Sequence, residues 1–459
     1  MIKQKPDLLN GNILKNMIFF AVPLMLSSIL QLLFNAADLV IVGKFDTATG
    51  STAQAAVGST GSLIGLIVNL FVGFSIGATA IVARYIGSKS EEDIKIAVRT
   101  SMMIALVSGT FIAVAGITLA RPMLLLMDSD PEILPFAEKY IKIYFLGAPF
   151  IMIYNFGSSI LRAAGNTVKP MVYLTVSGVV NLLLNLFTVI VLDMSVTGVA
   201  IATTASQIVS SVLIIYHLIT TKENYRLDLS SLKISGEKLK LIVKIGLPAG
   251  IQGTLFSISN VLIQSSINTF GATVIAANSI SLNIENFAFA VTNSLHQAAI
   301  TFTSQFLGAR RFKDINGIVF KSLVLSAVSG IILSSLLLSF GELLLGIYSN
   351  DHEVIKTGLI RLNIQGASYL LAGLMEAMSG VMRGLGYSLA SMLISIITVC
   401  GFRVVWIYTV FKKFHYLKTL YYSYPVSWAI TFVALFIYYL IKKRKIDRQN
   451  GLIPNKANS

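Results

Sequence analysis

Asp38 is an acidic residue deep within an apolar run that covers roughly residues 17–43. Asn35 and Gln31 precede it at intervals of three and four residues, so a helix would place the three side chains on one face. A carboxylate in a membrane interior is costly unless it is paired, protonated or bound to a cation. We therefore predict that Asp38 exchanges a cation. The alternative is an Asp that packs at a helix interface and is held there by hydrogen bonds.

Amide and hydroxyl side chains occur in two later apolar runs. Asn181 and Asn185 are four residues apart in the run 170–192, and Thr203 lies in the run 196–220. Their oxygens are hard ligands suited to a small cation, and such groups also tune a carboxylate that binds a proton. An Asn between membrane helices is equally often a structural hydrogen-bonding residue. Spacing alone leaves both interpretations open.

The second half of the chain carries two further acids within apolar runs, Glu285 and Glu376. Each could pair with a cationic ligand; the alternatives are a neutral Glu, or one paired with Arg403 or Arg383. Other polar residues follow helical spacing on the first and seventh runs. We predict a substrate-binding role for Gln31, Asn35, Gln252, Asn260, Gln264, Glu285 and Glu376.

The sequence repeats itself at an interval of about 221 residues. LRAAG at 161–165 recurs as MRGLG at 382–386, and DPEI at 130–133 recurs as DHEV at 351–354. A duplicated apolar chain is the usual build of a secondary transporter, with its site between the halves. Near the start of each half the interval is about 225 residues, since Pro23 faces Pro248 and Asn35 faces Asn260. The position equivalent to Asp38 is then Ile263, so this acid is not duplicated. The asymmetry favours a coupling role confined to one half.

Twelve apolar runs must position these side chains, and each is long enough to cross a bilayer as a helix. We predict an all-α transmembrane fold of twelve helices in two pseudo-symmetric six-helix bundles. The first lobe covers residues 1–220, a linker 221–239, and the second lobe with a basic tail 240–459. The runs fall at roughly 17–43, 54–83, 97–120, 136–160, 170–192, 196–220, 240–268, 274–307, 318–341, 354–382, 389–411 and 419–441.

The composition favours a membrane protein, since 55% of residues are hydrophobic, 12% are charged and the mean hydropathy is +0.76. Soluble domains average roughly 25% charged residues. The net charge of +15 does not predict nucleic-acid binding, because the basic residues sit in loops between apolar runs, where they contact anionic lipid. Their bias toward one side predicts the cytoplasmic membrane with both termini in the cytoplasm. Lys356 and Arg361 count among the few loop cations on the other side.

Several soluble-enzyme classes lack their required residues. No Gly-rich loop ending in Lys-Ser/Thr occurs, and the single Cys400 excludes a disulfide framework. Spacings of His and Cys that would bind a metal are also absent. We therefore predict a monomer that is not an enzyme and has no cofactor. A passive channel is disfavoured because Asp38 occurs in only one half. A membrane scaffold is disfavoured because the apolar runs contain many polar groups.

Short motifs in a fixed order complete the sequence signal. In their order and spacing the chain resembles the multidrug and toxic compound extrusion family over essentially its whole length. The motifs are AVPL at 21–24, NAAD at 35–38, GFSIGA at 73–78, LRAAG at 161–165, LN at 184–185 after Asn181, GVAIAT at 198–203, GLP at 246–248 and MRGLG at 382–386.

The resemblance implies two six-helix lobes in a V around a central cavity, and exchange of organic compounds against H+ or Na+. Asp38, Asn181 and Thr203 match the family's amino-lobe cation site, where Asp38 and Asn181 would hold Na+. Many members carry a second acid where this chain has Asn185, so the coupling ion stays open. Phe256 stands near the seventh-span acid of some branches, so Glu285 and Glu376 are not assigned as its equivalents.

We predict an antiporter, coupled to H+ or Na+, that exports organic and often cationic amphipathic small molecules by alternating access. The alternative is a flippase for a lipid-linked or amphipathic molecule on a related fold. A flippase would need a cationic cavity for phosphates, and the two acids with few intramembrane arginines favour the exporter.

Overall fold

A computed structural model describes residues 8–45, 50–127 and 130–452. The regular structure in these ranges is helical and contains no β-strand. The α-helices are α1 Ile13–Phe45, α2 Gly50–Ser88, α3 Glu91–Leu126, α4 Leu134–Leu146, α5 Ala148–Ala163, α6 Val168–Leu186, α7 Ser195–Thr220, α8 Gly236–Asn268, α9 Ala272–Gly308, α10 Ile315–Gly346, α11 His352–Gln365, α12 Tyr369–Gly384, α13 Ser388–Ser395, α14 Phe402–Trp406 and α15 Leu417–Gln449.

Ten helical segments in the described part of the chain are long and apolar enough to cross a membrane. The number is eleven if α4 and α5, which meet at an angle of 47°, form one span. The predicted run 354–382 is not in this set. Helices α11 and α12 cover it, but Lys356 and Arg361 lower the hydropathy of its first part.

The repeated motif at residues 161–165 and 382–386 ends a helix in both halves. Gly165 and Gly386 have φ values of 83° and 91°, a conformation that favours glycine. At the first copy, the N–H of Gly165 donates to the carbonyl of Arg162 and that of Asn166 to Leu161. The second copy repeats both bonds. This pairing is the Schellman turn, which satisfies the last carbonyl groups of a helix.

The described chain divides into two compact units. The N-terminal unit comprises the described residues of 26–250, and the C-terminal unit comprises residues 8–25 with 251–452. The boundaries fall inside α1 and α8, whereas the predicted lobes divide the chain at residues 220–240. The lobe division stays a prediction, and its outermost residues, 1–7 and 453–459, lie outside the described ranges.

Within the N-terminal unit, α2 and the first part of α8 approach each other closely through glycines. Gly73 and Gly77 on α2 are four apart, as are Gly246 and Gly250 on α8. A Cβ on Gly77 would overlap the carbonyl oxygen of Ile242, and one on Gly250 would overlap the backbone of α2. Small residues four apart allow such backbone contact between membrane helices.

The core of the C-terminal unit is rich in aromatic residues. Tyr369, Tyr421, Tyr424 and Trp428 are buried in one cluster with Leu362. Tyrosine combines a large apolar ring with a hydroxyl that needs a partner when buried. The core can therefore enclose polar side chains from α9 and α11.

Candidate functional site

The four residues predicted to bind the coupling cation meet inside the N-terminal unit. Asn185 Nδ2 donates to Asp38 Oδ1 at 2.5 Å and lies 3.3 Å from Asn181 Oδ1. Thr203 Oγ1 lies 3.5 Å from Asp38 Oδ2 and 3.5 Å from Asn181 Nδ2. Asp38 is buried, with 8% of its surface exposed. The geometry brings these side chains together, and their role in cation coupling stays a prediction.

Helix packing explains how Asp38 reaches this position. Gly178 on α6 leaves room for the ring of Phe34 on α1, since a Cβ there would overlap the ring. One turn farther along α1, Asp38 meets Asn185, two turns beyond Gly178 on α6. A π-helical turn, Phe187–Val191, then ends this run. Residues four apart on α1 and seven apart on α6 lie on one face of each helix and thus build the contact.

The Asp38 network contains more oxygen acceptors than donors. Asn185 Oδ1 is buried and has no hydrogen-bond partner among the described residues. The carboxylate of Asp38 receives hydrogen bonds from one amide and one hydroxyl, and no Lys or Arg pairs with it in the described ranges. Carboxylate, amide and hydroxyl oxygens are the ligands that hard cations prefer. The residues therefore fit a proton on Asp38 or a small cation among these oxygens.

Gln31 and Asn35 do not join the Asp38 network. Both side chains are exposed on α1, although their spacing places them on the helix face of Asp38. Neither makes a side-chain hydrogen bond within the described part of the protein. Their predicted substrate contact stays a prediction.

A buried ion pair lies at the centre of the C-terminal unit. Arg361 Nη2 and Nε donate to the two carboxylate oxygens of Glu285 at 2.6 and 3.1 Å. The same guanidinium donates to Asn278 Oδ1 at 2.5 Å and to Gln365 Oε1 at 3.2 Å. Arg361 is only 2% exposed. A bidentate pair with further hydrogen bonds can offset the cost of burying both charges.

The position of Arg361 corrects the sequence interpretation. The sequence predicts a loop cation at this position, but Arg361 lies within α11 and is buried. Asn278 extends its network, since Nδ2 donates to Gln264 Oε1 at 2.8 Å and Oδ1 accepts from the Tyr421 hydroxyl at 3.2 Å. Two predicted substrate residues, Gln264 and Glu285, thus belong to one network around Arg361.

A second network joins Glu376, His296, Arg383 and Gln252. His296 Nδ1 lies 3.1 Å from a carboxylate oxygen of Glu376 and 2.8 Å from its carbonyl oxygen. Arg383 lies 3.0 Å from His296 Nε2 and donates to Gln252 Oε1 at 3.0 Å. Because arginine only donates, Nε2 must accept and Nδ1 must carry the hydrogen, an assignment that rests on the hydrogen-bond network. The neutral imidazole therefore bridges the Glu376 carboxylate and the Arg383 guanidinium.

The third buried arginine, Arg403, holds the remaining predicted residue, Asn260. Its Nη1 donates to Asn260 Oδ1 at 3.4 Å and its Nε to Ser427 Oγ at 3.2 Å. The guanidinium also lies 3.9 Å from the ring centre of Tyr424. A cation over an aromatic face is stabilised electrostatically.

The structure shows which partners the two acids of the second half have. Glu285 pairs with Arg361 and not with Arg403, and Glu376 reaches Arg383 through His296. The premise of few intramembrane arginines fails, because three are buried in this unit. No local pattern in the sequence marks Arg361 as buried, because its partner Glu285 lies 76 residues away.

The apolar helices and buried polar networks define a multi-span membrane protein, and the predicted all-α transmembrane fold class is confirmed. The family model described as MatE matches residues 23–187 and 248–409, more than half of the chain. The protein therefore belongs to the MatE family, as the resemblance predicted.

Similar proteins agree with this family. The chain is 28% identical to the "Probable multidrug resistance protein YoeA" of Bacillus subtilis (strain 168), over 97% of each chain. It is 24% identical to the "Multidrug export protein MepA" of Staphylococcus saprophyticus subsp. saprophyticus, over 84% of this chain and 85% of that protein. The fold matches "Crystal structure of MATE in the bent conformation" with a TM-score of 0.90 at 20% identity, covering 98% and 100% of the two chains.

Proposed function

We propose that this protein exports small organic, often cationic amphipathic molecules in exchange for H+ or Na+. The observation that carries the proposal is the buried Asp38 carboxylate, which has neutral partners and lies beside the unsatisfied oxygen Asn185 Oδ1. Such a site can bind a cation and release it, because no fixed positive charge competes for the carboxylate. Family membership and the names of the relatives support the export of drugs.

Coupling requires that Asp38 differ in environment between two conformations. A ligand shifts a conformational equilibrium only through different affinities for the two states. We propose that a cation binds Asp38 in the outward-facing state and neutralises it, which repacks α1 and favours release of the substrate. Return to the inward-facing state frees the cation.

The proposal extends to the setting of the protein. We place it as a monomer in the cytoplasmic membrane with both termini in the cytoplasm, in contact with lipid and without nucleic acid or enzymatic activity. The distribution of Lys and Arg between the loops supports this orientation.

The alternative, a flippase, gains no support from the three buried arginines. A flippase of this kind needs cationic groups that can receive a phosphate. Arg361, Arg383 and Arg403 each donate to neighbouring side chains of the C-terminal unit, although Arg383 Nε is buried without a partner among the described residues. We therefore retain the exporter.

The test is dye efflux from proteoliposomes in which the proton and sodium gradients are imposed separately. We expect one gradient to drive efflux by the wild type, and Asp38→Asn to abolish gradient-driven efflux while the protein still folds. Asp193→Asn is the matched control, because Asp193 is exposed and lies outside the network. Normal efflux by a well-folded Asp38→Asn protein would remove Asp38 from the mechanism. Gradient-independent efflux would contradict antiport.

A further inference from the structure

A pocket of about 420 Å³ opens in the N-terminal unit where the chain after α7 folds beside the start of α3. It lies between α3 and the linker that the sequence predicts at 221–239, and the short 3₁₀ turn Leu229–Ser231 forms part of its rim. We call it the linker pocket. Its wall combines three cations, one acid, one hydroxyl and three apolar side chains: Lys95, Arg99, Arg226, Asp228, Ser230, Ile219, Leu227 and Leu229.

The single acid of the linker pocket is already engaged. Asp228 Oδ2 accepts from Arg99 at 3.1 Å. Its Oδ1 accepts from the backbone N–H and the hydroxyl of Ser230 at 3.0 and 2.7 Å. Of the three cations, only Arg99 pairs with a carboxylate in the described ranges. Lys95 and Arg226 form no ion pair within the described ranges.

Donors in the linker pocket also outnumber their acceptors. Arg226 uses Nε to bind the carbonyl of Ile219 near the end of α7, at 2.9 Å. This bond fixes its guanidinium at the rim. Arg99 Nε is buried and has no partner among the described residues. A buried donor without an acceptor is costly unless a ligand or water supplies one.

The linker pocket lies where apolar helices end. Helix α7 is apolar enough to cross a membrane and ends at Thr220. Helix α3 begins at Glu91, and Lys95 and Arg99 lie one and two turns after this residue. Leu229 is 52% exposed at the rim, and Ile234 nearby is 44% exposed. Cations beside exposed apolar side chains suit a ligand with a charged head and an apolar tail.

We propose that the linker pocket binds the phosphate group of an anionic amphiphile, the headgroup of an anionic phospholipid. Guanidinium groups match phosphate oxygens with paired hydrogen bonds, and an ammonium adds a point charge. The bound phosphate bridges Lys95 and Arg99 on α3 to Arg226 on the connection. It therefore fastens the connection between the two halves against the N-terminal unit.

The second half does not repeat this site. At the interval of 221 residues, Asn316 and Phe320 replace Lys95 and Arg99. Asn316 accepts a hydrogen bond from the Tyr439 hydroxyl at 2.5 Å, and Phe320 is 67% exposed. The basic site thus belongs only to the half that is joined to the connection.

The test measures binding of phosphatidylglycerol to the purified full chain by native mass spectrometry, with phosphatidylcholine as the neutral lipid. The variant is Lys95→Gln with Arg226→Gln. The control is Lys240→Gln with Lys244→Gln, which removes two exposed charges from the start of α8 in the same unit. A second arm adds glycerol phosphate without lipid, which distinguishes a free phosphate ester from a headgroup. Lys95→Gln alone is the gentler variant, since this exposed side chain makes no hydrogen bond within the described residues.

We expect the wild type to prefer phosphatidylglycerol over phosphatidylcholine. The double variant should weaken phosphatidylglycerol binding about 30-fold and Lys95→Gln about fivefold, because each basic side chain near a membrane surface contributes about a factor of five. The control should change it by less than about twofold, as exposed charges outside a site contribute little. If glycerol phosphate binds without lipid as well as phosphatidylglycerol does, the site belongs to a free phosphate ester and not to a lipid headgroup. The proposal is overturned if the double variant and its control lose equal affinity for phosphatidylglycerol. It is also overturned if the wild type binds neither phosphatidylglycerol nor glycerol phosphate better than phosphatidylcholine.

Discussion

The amide of Asn185 donates to the Asp38 carboxylate across 2.5 Å, while the carbonyl oxygen of the same amide is buried without a partner in the described structure. One neutral side chain therefore orients the acid without cancelling its charge. An arginine in this place would hold the carboxylate permanently in its ionised form. The arrangement leaves the charge of Asp38 available to a cation that comes and goes.

Removal of this amide should weaken the site and the fold together. We expect Asn185→Ala to lower the free energy of unfolding by about 1–3 kcal/mol, because the buried carboxylate loses its best hydrogen bond. Export should fall at the same time, since Asp38 is no longer oriented. Thermal unfolding in detergent and dye efflux measure the two effects.

Asn155→Ala is the matched control for Asn185→Ala. Within the described residues, the side chain of Asn155 donates only to the carbonyl of Ile151, one turn earlier in α5, at 2.9 Å. Its removal should change export little. If both variants reduce export equally, Asn185 has no special relation to Asp38.

The Glu285–Arg361 pair should behave as a structural unit. We expect Glu285→Gln to cost about 3–5 kcal/mol of unfolding free energy, because it leaves a buried guanidinium without its counter-charge. Combining it with Arg361→Gln should cost less than the sum of the single changes, since the residues share one network. Thermal unfolding of the single and double variants checks this coupling.

Glu342→Gln is the control for the ion pair, because Glu342 is an exposed acid on α10. Its effect should stay within about 0.5 kcal/mol, as is usual for surface changes. Additive losses in the Glu285 and Arg361 variants would show that the pair is not coupled.

The Asp38 cluster could be predicted because its signals are local. A lone acid in an apolar run is costly, and Asn181 and Asn185 share a face through their spacing of four. Gln31 and Asn35 show the limit of this reasoning. Periodicity placed them on the face of Asp38, but whether a side chain on that face is buried depends on the neighbouring helix.

Arg361 could not be placed by the same reasoning. With Lys356 it makes its stretch of sequence resemble a loop, since hydropathy counts charges without their partners. Its partner Glu285 lies 76 residues away in sequence. Burial of the pair depends on the packing of α9 against α11, which no local pattern contains. The repeated glycine turns, in contrast, follow from short motifs and occur in both halves.

His296 should be replaceable only by a side chain that both donates and accepts. His296→Phe should cost about 1–3 kcal/mol of unfolding free energy, because the buried groups of Glu376 and Arg383 lose a shared partner. His296→Gln offers one donor and one acceptor and should lose less. Thermal unfolding of both variants tests the bridge, and an equal loss would contradict it. His352→Gln, an exposed change at the start of α11, is the control.

The glycines between α2 and α8 should tolerate no side chain where the two backbones approach. Gly77→Val places atoms against the carbonyl of Ile242, so the helices must separate. We expect a loss of about 1–3 kcal/mol of unfolding free energy, the usual cost of overpacking. Gly58→Ala on the same helix is the control, because nothing lies within 4 Å of its added Cβ. It should hold or raise stability, since alanine is the better helix former. The check is the unfolding temperature of the two variants. If Gly77→Val unfolds at the same temperature as Gly58→Ala or at a higher one, backbone proximity does not hold these helices together.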